Sequence, residues 1–392
     1  MKTKSLTQVC NITTGKLDAN AGIPNGKYPF FTCAPDPLRI DTFAFDDDVV
    51  LLAGNNAHGN FHIQRFKGKF NAYQRTYVIT ARDGYDIDYV KYSLELSLQH
   101  LKRIAQGSQT KFLTMQILDS FRVVDIPYDA QRQLIGSIRE VDSKISLNTC
   151  ICAELETMAK TLYDYWFTQF DFPDENGKPY RSSGGEMVWN DQLNREIPKG
   201  WVIGAVSDLM KIEHTSVNPQ KLGNTVMEHY SIPAFDTDHN PAYEEANTIE
   251  SGKYSVDPEC ILTSKLNPHF KRLWDPYCDT KNAICSTEFI VYRPRAARTR
   301  PFCYAVLNSD AFYTHMAGKA ISSTGSRKRI QPDISASFVL AIPDNKTMRA
   351  FVELYAPIMK KQKALYKENR ELAKLRDWLL PMLMNGQAVV SD

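Results

Sequence analysis

Two stretches of this chain carry apolar residues at helical spacing for much longer than an ordinary globular core requires. From Asp129 the pattern puts Ile135, Ile138, Val141, Ile145, Cys152, Leu155, Met158 and Leu162 on one stripe. From Asn345 it puts Met348, Phe351, Leu354, Ile358, Leu365, Leu372, Leu375 and Leu379 on another. The spacings are mostly three, four or seven, the period of an amphipathic or coiled-coil helix. Each helix would run about 38 residues, roughly 57 Å at 1.5 Å per residue. A helix of that length with one apolar stripe needs a partner, and the economical partner is the other long helix. The pattern therefore predicts two paired helices, over 129–170 and 345–386, with Ile138, Ile145, Leu162, Phe351, Ile358 and Leu375 at their interface. Pro357 falls inside the second pattern and is expected to kink that helix or end a first segment of it.

The rest of the chain has a different texture. Short β-rich runs such as "VVLLAG", "TYVITA", "EFIVYRP" and "SFVLAIP" are separated by turn clusters such as "NNAHGN", "ARDG" and "LNPHF". Short helical stretches are interspersed, as in Tyr89–Gln106. Each half reads as an α+β domain, one over 1–128 and one over 199–344. The polar, glycine-rich stretch 171–198 between them reads as a linker, after which "REIPKGW" begins the second globular part.

The two halves are copies, offset by about 211 to 218 residues. "DVVLLAG" from Asp48 matches "ECILTSK" from Glu259, and "NAYQRTYVI" from Asn71 matches "NAICSTEFIV" from Asn282. The stretch "QGSQTKFLTMQILDSFRVVDIP" matches "TGSRKRIQPDISASFVLAIP", and a long helix follows each. Within the helices, Ile135 falls on Met348, Ile138 on Phe351, Ile145 on Ile358 and Leu162 on Leu375.

Composition changes this picture little. Of 392 residues, 43% are hydrophobic and the formal net charge is +2, so a nucleic-acid partner is neither advertised nor excluded. No apolar run approaches the roughly 18 residues of a membrane span, and "MKTKSLTQVC" lacks a signal-peptide core. The expected location is cytoplasmic, with no membrane association. The eight cysteines are scattered without CxxC spacing, and the histidines do not cluster as metal ligands, so no metal site is expected.

Taken in order, "LYDYWFTQFDFP", "NGKPYRSSGGEMVWN", "REIPKGW", the paired "GSQTK" and "GSRKRIQPDI" segments and the two "IP" endings before long helices resemble the DNA-specificity subunits of type I restriction–modification systems. The resemblance covers nearly the whole chain. It implies two target-recognition domains separated by two long antiparallel helices, each domain reading one half of a split, asymmetric double-stranded DNA target. It also implies docking of two methylation subunits, which would use S-adenosylmethionine, and through them of restriction and translocation subunits. This chain would then bind no cofactor of its own. The first half departs from the family pattern in lacking an "IPKGW" start.

Reading base edges calls for polar side chains in loops, Asn and Gln for adenine, Arg and Lys for guanine. In the first half Asn55, Asn56 and His58 stand in a glycine-containing loop with Asn60, Gln64 and Arg65, and Gln74 and Arg75 follow in "NAYQRT". In the second half Lys265 and Asn267 stand with His269 and Arg272. Ser108, Gln109 and Lys111 recur against Ser326, Arg327, Lys328 and Arg329, after a glycine that exposes backbone N–H groups to phosphate. Each of these could also be a solvated turn. Arg293, Arg295, Arg298 and Arg300 could line DNA or guard a strand edge.

Catalysis by the chain itself is not expected. "NPAY" at Asn240 and "NPHF" at Asn267 lack the second proline of an amino-methyltransferase motif and read as turns. No GxSxG, Walker A or HExxH pattern is present. The alternative to a DNA-recognition subunit is a duplicated coiled-coil scaffold that binds only protein.

Overall fold

The run Val49–Ala53 is continuously apolar because its strand is covered on both faces. Val50 and Leu52 pack with Tyr77 and Ile79 on one side, and Val49 and Leu51 with Phe31, Phe70 and Val78 on the other. The computed structural model describes residues 2–56, 61–104, 111–324 and 327–384. They fall into two units: one from Met1–Lys144 with Leu372–Asp392, the other Ile145–Glu371. No helix among the described residues is long and apolar enough to cross a membrane.

In the first unit a six-stranded sheet runs in the order Cys10–Thr14, Thr76–Ala81, Phe45–Ala53, Ile63–Ala72, Tyr28–Phe31, Leu38–Ile40. It is antiparallel except where Tyr28–Phe31 meets Ile63–Ala72. The helix Ile87–Ile104 contributes Tyr89 and Val90 to one face, joined there by Ile135 and Ile138 of the first long helix. Charge fixes this helix as well. Arg139 reaches Asp86 and Asp88, and Asp88 also accepts from Arg65 at 2.6 Å. Burial would raise the Asp88 carboxyl, but the two guanidinium groups outweigh it and hold it below the usual range.

The second unit repeats the heart of the first. Met210–Ile212, Phe289–Pro294 and Ile261–Ser264 lie in the same antiparallel order as Cys10–Thr14, Thr76–Ala81 and Phe45–Ala53, with Leu273–Trp274 added at the edge. A further five-stranded sheet completes the unit. Both units are α+β. Their beginnings match too. Thr3–Ser5 pairs with Arg122–Val124 before the one-turn helix Leu6–Val9, as Val202–Ala205 pairs with Val339–Ile342 before Val206–Leu209. In both helices an N3 side chain takes the cap N–H: Gln8 Oε1 from Ser5 at 2.9 Å and Asp208 Oδ2 from Ala205 at 2.7 Å. The first half therefore has the opening structure that its missing "IPKGW" left in question.

The long helices are Tyr128–Tyr163, extended by a π-helical turn at Asp164–Thr168, and Asn345–Met384. Each contributes to both units. Within the second unit, Asn148 donates to Glu368 (2.8 Å) and Asn369 (2.9 Å), Gln362 donates to the Cys152 carbonyl, and Trp166 and Phe167 pack on Phe351. Within the first, Arg376 reaches Asp142, and Ile135 and Ile138 share a core with Leu380 and Leu383. As numbers rise on one helix they fall on the other, so the pairing in each unit is antiparallel.

The expected interface is corrected in part. Ile138 and Phe351 are fully buried and Ile358 is buried, while Ile145 and Leu162 are half-buried. Leu375 is 43% exposed, and Met158 and Leu354 are exposed as well. Arg376 faces Asp142 instead, which turns Leu375 about 100° away. The helix also runs unbroken through Pro357, whose ring is on the solvent side while Ile358 and Met359 are buried.

The glycine-rich stretch expected to be a flexible linker is folded. Phe170, in a left-handed conformation (φ 66°), ends the helix, and the Asp171 N–H returns to the Tyr165 carbonyl. Phe172 stacks between Tyr180 and Trp201, Asp171 accepts two hydrogen bonds from Ser182, and Met187–Asn190 forms a hairpin with Arg195–Pro198. The aromatic residues, spaced irregularly among polar ones, escape a periodicity test.

Candidate nucleic-acid interface

In the first unit the backbone after the central strand joins three separate segments at Gly54. Its N–H donates to the Arg75 carbonyl (2.8 Å), and its carbonyl accepts from the Leu113 N–H (2.8 Å). A Cβ at Gly54 would lie 2.4 Å from the Arg75 oxygen, so glycine is required by close approach. Just beyond, Asn55–Asn56 pairs antiparallel with Lys111–Phe112. Asn55, Asn56, Gln74, Arg75 and Lys111 are thus brought to one place from three parts of the sequence. Gln74 and Arg75 are exposed in the turn between Ile63–Ala72 and Thr76–Ala81. His58, Asn60, Ser108 and Gln109 lie outside the described residues.

The second unit builds the same junction around Lys265. Its N–H donates to the Glu288 carbonyl (2.9 Å) and its carbonyl accepts from the Ile330 N–H (3.1 Å). The loop then closes on the returning strand. The Asn267 N–H donates to the Lys328 carbonyl (2.7 Å), and the Lys328 N–H donates to Asn267 Oδ1 (2.9 Å). Asn267 holds φ at 48°, a left-handed position that asparagine tolerates. Lys265, Asn267, Arg327, Lys328 and Arg329 therefore come together as the first unit's candidates do. Ser326 lies outside the described residues.

Several expected readers have other work. Asn267 Oδ1 is committed to its own loop. Arg329 forms a two-pronged ion pair with Glu288 at 2.9 and 3.1 Å, and that guanidinium holds the Glu288 carboxyl below its usual range. Arg327 and Lys328 stay exposed beside it. Arg65 is taken up by Asp48 and Asp88, and Gln64 donates to the carbonyls of Ala34 and Pro35. Arg272 donates to both carboxylate oxygens of Asp236, from Nε and one terminal nitrogen, and covers the Phe270 ring. In the arginine-rich segment, Arg293 pairs with Asp257, Arg300 with Asp275, and Arg295 donates to the Ser207 carbonyl, which leaves Arg298 exposed. An arginine in a sequence shows its charge but not the distant carboxylate that neutralises it.

Sequence reasoning missed Glu288, which orders Arg329, and the junction role of Gly54 and Lys265. The repeat offset was the available signal, since it sets Gly54 on Lys265. The "NPAY" and "NPHF" segments are structural. Asn240 is buried and accepts from the Tyr277 hydroxyl at 2.6 Å, and Asn267 makes the loop clasp. Among the described residues, no group of three His, Cys, Asp or Glu side chains is placed to hold a metal ion. The two junctions can present hydrogen-bonding and cationic groups to a polyanion.

Comparison with known proteins agrees with this arrangement. Residues 1–157 match the family model for the type I restriction modification DNA specificity domain. The chain is 27% identical over 351 residues to the type I restriction enzyme EcoDI specificity subunit of Escherichia coli, covering 85% of this chain and 76% of that one. It is 24% identical over 331 residues to the MjaIX specificity subunit of Methanocaldococcus jannaschii, covering 80% and 72%. Its fold is similar to that of the crystal structure of a type I restriction–modification S subunit from M. genitalium, with a TM-score of 0.60, 13% identity and coverage of 97% and 95%.

Proposed function

We propose that the chain is a type I restriction–modification DNA specificity subunit, like the relatives it resembles, and that each of its two units reads one half of a bipartite, asymmetric double-stranded DNA target. The observation that carries this reading is the duplicated junction. Gly54 with Arg75 and Leu113, and Lys265 with Glu288 and Ile330, each gather three loop segments, with Gln74 and Arg75 exposed at the first and Arg327 and Lys328 at the second. Loops of that composition suit base-edge contacts, and the lysines and arginines add phosphate contacts that set register. The chain contributes recognition and no catalysis. Methylation subunits, two per chain, dock on the long helices and bring S-adenosylmethionine, and restriction and translocation subunits join through them. The assembly works in the cytoplasm.

The test is methylome sequencing of cells expressing the neighbouring methylation subunit with and without this chain. A split adenine-methylated motif that depends on the chain is expected, and exchanging residues 1–128 should change one half of it only. In vitro, Arg327→Ala with Lys328→Ala should weaken binding across sequences and lower the salt slope by about 1.8, at about 0.9 per phosphate contact. An unchanged methylome with the chain expressed and its partner bound would overturn the reading.

A further inference from the structure

Arg329 is held at both ends. Its backbone lies in the strand Arg327–Arg329, which pairs with Ile321–Thr324, and it bridges to Leu266 as well. Its guanidinium donates from Nε to Glu288 Oε2 (3.1 Å) and from Nη2 to Glu288 Oε1 (2.9 Å). Both bonds leave from one edge of a planar group whose five N–H donors form a fixed fork. The other edge, Nη1 with the second N–H of Nη2, has no hydrogen-bond partner among the described residues. The side chain is 39% exposed, and burial has the least influence on its charge, so the edge turned away from Glu288 meets solvent. The Glu288 side chain takes no part in closing the junction, which uses the Glu288 carbonyl.

The pair suits one kind of ligand. Glu288 already balances the charge of the guanidinium and repels an anion, so a phosphate gains little there. Arg327 and Lys328, exposed beside it, serve phosphates better. A locked, neutralised fork instead matches two uncharged acceptors set side by side. On the base edges of the DNA major groove only guanine offers that, with O6 and N7; adenine and thymine each show one acceptor there and cytosine none. Fixing the side chain in advance also reduces the rotamer freedom lost on binding.

We propose that Arg329 reads a guanine in the half-target of the second unit, and that Glu288 is the positioning residue that aims it. This rests on the reading of the loops as a DNA-recognition site. The first unit has no such pair. By the junction hydrogen bonds, Arg75 stands where Glu288 does, and Phe112, which pairs with Asn55 as Arg329 does with Leu266, stands in place of Arg329. The device therefore belongs to one half of the target only, as an asymmetric target requires.

The full chain is tested together with its methylation subunit. Methylome sequencing gives the motif, and the exchange of residues 1–128 shows which half belongs to the second unit. Binding is then measured by fluorescence anisotropy on duplexes in which each guanine of that half is replaced in turn, by 7-deazaguanine, which lacks the N7 acceptor, or by adenine with its thymine partner. At one position the adenine duplex should bind roughly 5- to 100-fold more weakly, the worth of one bidentate contact, and 7-deazaguanine should also weaken binding there. Arg329→Lys keeps the charge and loses the fork, and should level that preference at that position alone. Glu288→Ala should lower the same preference while strengthening binding to unrelated DNA, because a carboxylate beside the phosphates is gone. A pair that only braced the fold would weaken both together, and that result overturns the proposal. Glu288→Gln keeps an acceptor and should restore part of the preference, and it serves as the test should the alanine variant fail to fold. A second half-motif in which Arg329→Lys levels no guanine preference overturns the proposal and leaves the reading of the loops standing. The absence of any motif that depends on the chain overturns both.

Discussion

Replacing Phe351 with alanine strikes the densest packing in the second unit. The ring is fully buried, with Phe167 at 4.7 Å, Tyr355 at 5.0 Å and Trp166 at 5.6 Å between centroids. A Phe→Ala change in a core costs about 3–5 kcal/mol, from lost transfer energy and from the cavity left behind. The neighbours here are rigid aromatic rings that cannot collapse into the space, so the cost should be about 4–5 kcal/mol. That is a large share of the stability of a typical domain. Urea unfolding followed by tryptophan emission suits the measurement, because Trp166, Trp201 and Trp274 are all buried and all lie in this unit. Leu375→Ala is the control. The helical pattern ranks the two positions alike, but Leu375 is exposed, and its loss should fall within about 0.5 kcal/mol. A Phe351→Ala loss below about 1 kcal/mol, or equal losses at the two sites, would refute the assignment of the buried face.

Gly54→Ala should destabilise the first unit by about 1–3 kcal/mol, because its Cβ meets the Arg75 backbone oxygen, whereas Lys265→Ala at the matching junction should be nearly neutral; thermal unfolding of both variants compares them. Equal effects would mean that the close approach of the Arg75 backbone does not restrict the residue at Gly54. Burial lowers the pKa of both His229 and His239 below 6.5. The unfolded chain therefore takes up protons near pH 6.5 that the folded second unit resists until about pH 4 at His239. Stability should be full above pH 6.5 and fall between 6.5 and 4, and His239→Gln with His229→Gln should flatten the denaturant midpoint over that window. A wild-type midpoint that does not move with pH would count against this account.

The repeat was legible because duplication preserves order, and order survives where identity is low. The strands Phe45–Ala53 and Ile261–Ser264 stand out as apolar runs, and the long helices as stripes. What the pattern could not give was rotation. Periodicity treats Leu375 and Phe351 alike, but the buried face is chosen by partners far away in the chain: Asp142 takes Arg376, and Asn148, fully buried, takes Glu368 and Asn369. The folded stretch after Phe170 was misjudged because glycine and polar content hid Phe172, Tyr180 and Trp201, whose stacking holds it. At the candidate interface the loops were legible as polar segments. Their convergence was not, since it rests on main-chain hydrogen bonds, which any residue can make and no composition reveals.

That main-chain origin has its own consequence. The junction at Lys265 is closed by the N–H and carbonyl groups of Lys265, Glu288 and Ile330, so apart from Asn267, whose Oδ1 closes the loop beside it, its shape depends little on which side chains stand on it. Arg327 and Lys328 can be exchanged for other polar residues without unfolding what carries them. The platform behaves as a socket with replaceable pins: under the proposed function, point changes at the outward positions of one unit would write a new half-target while the other unit kept its old one.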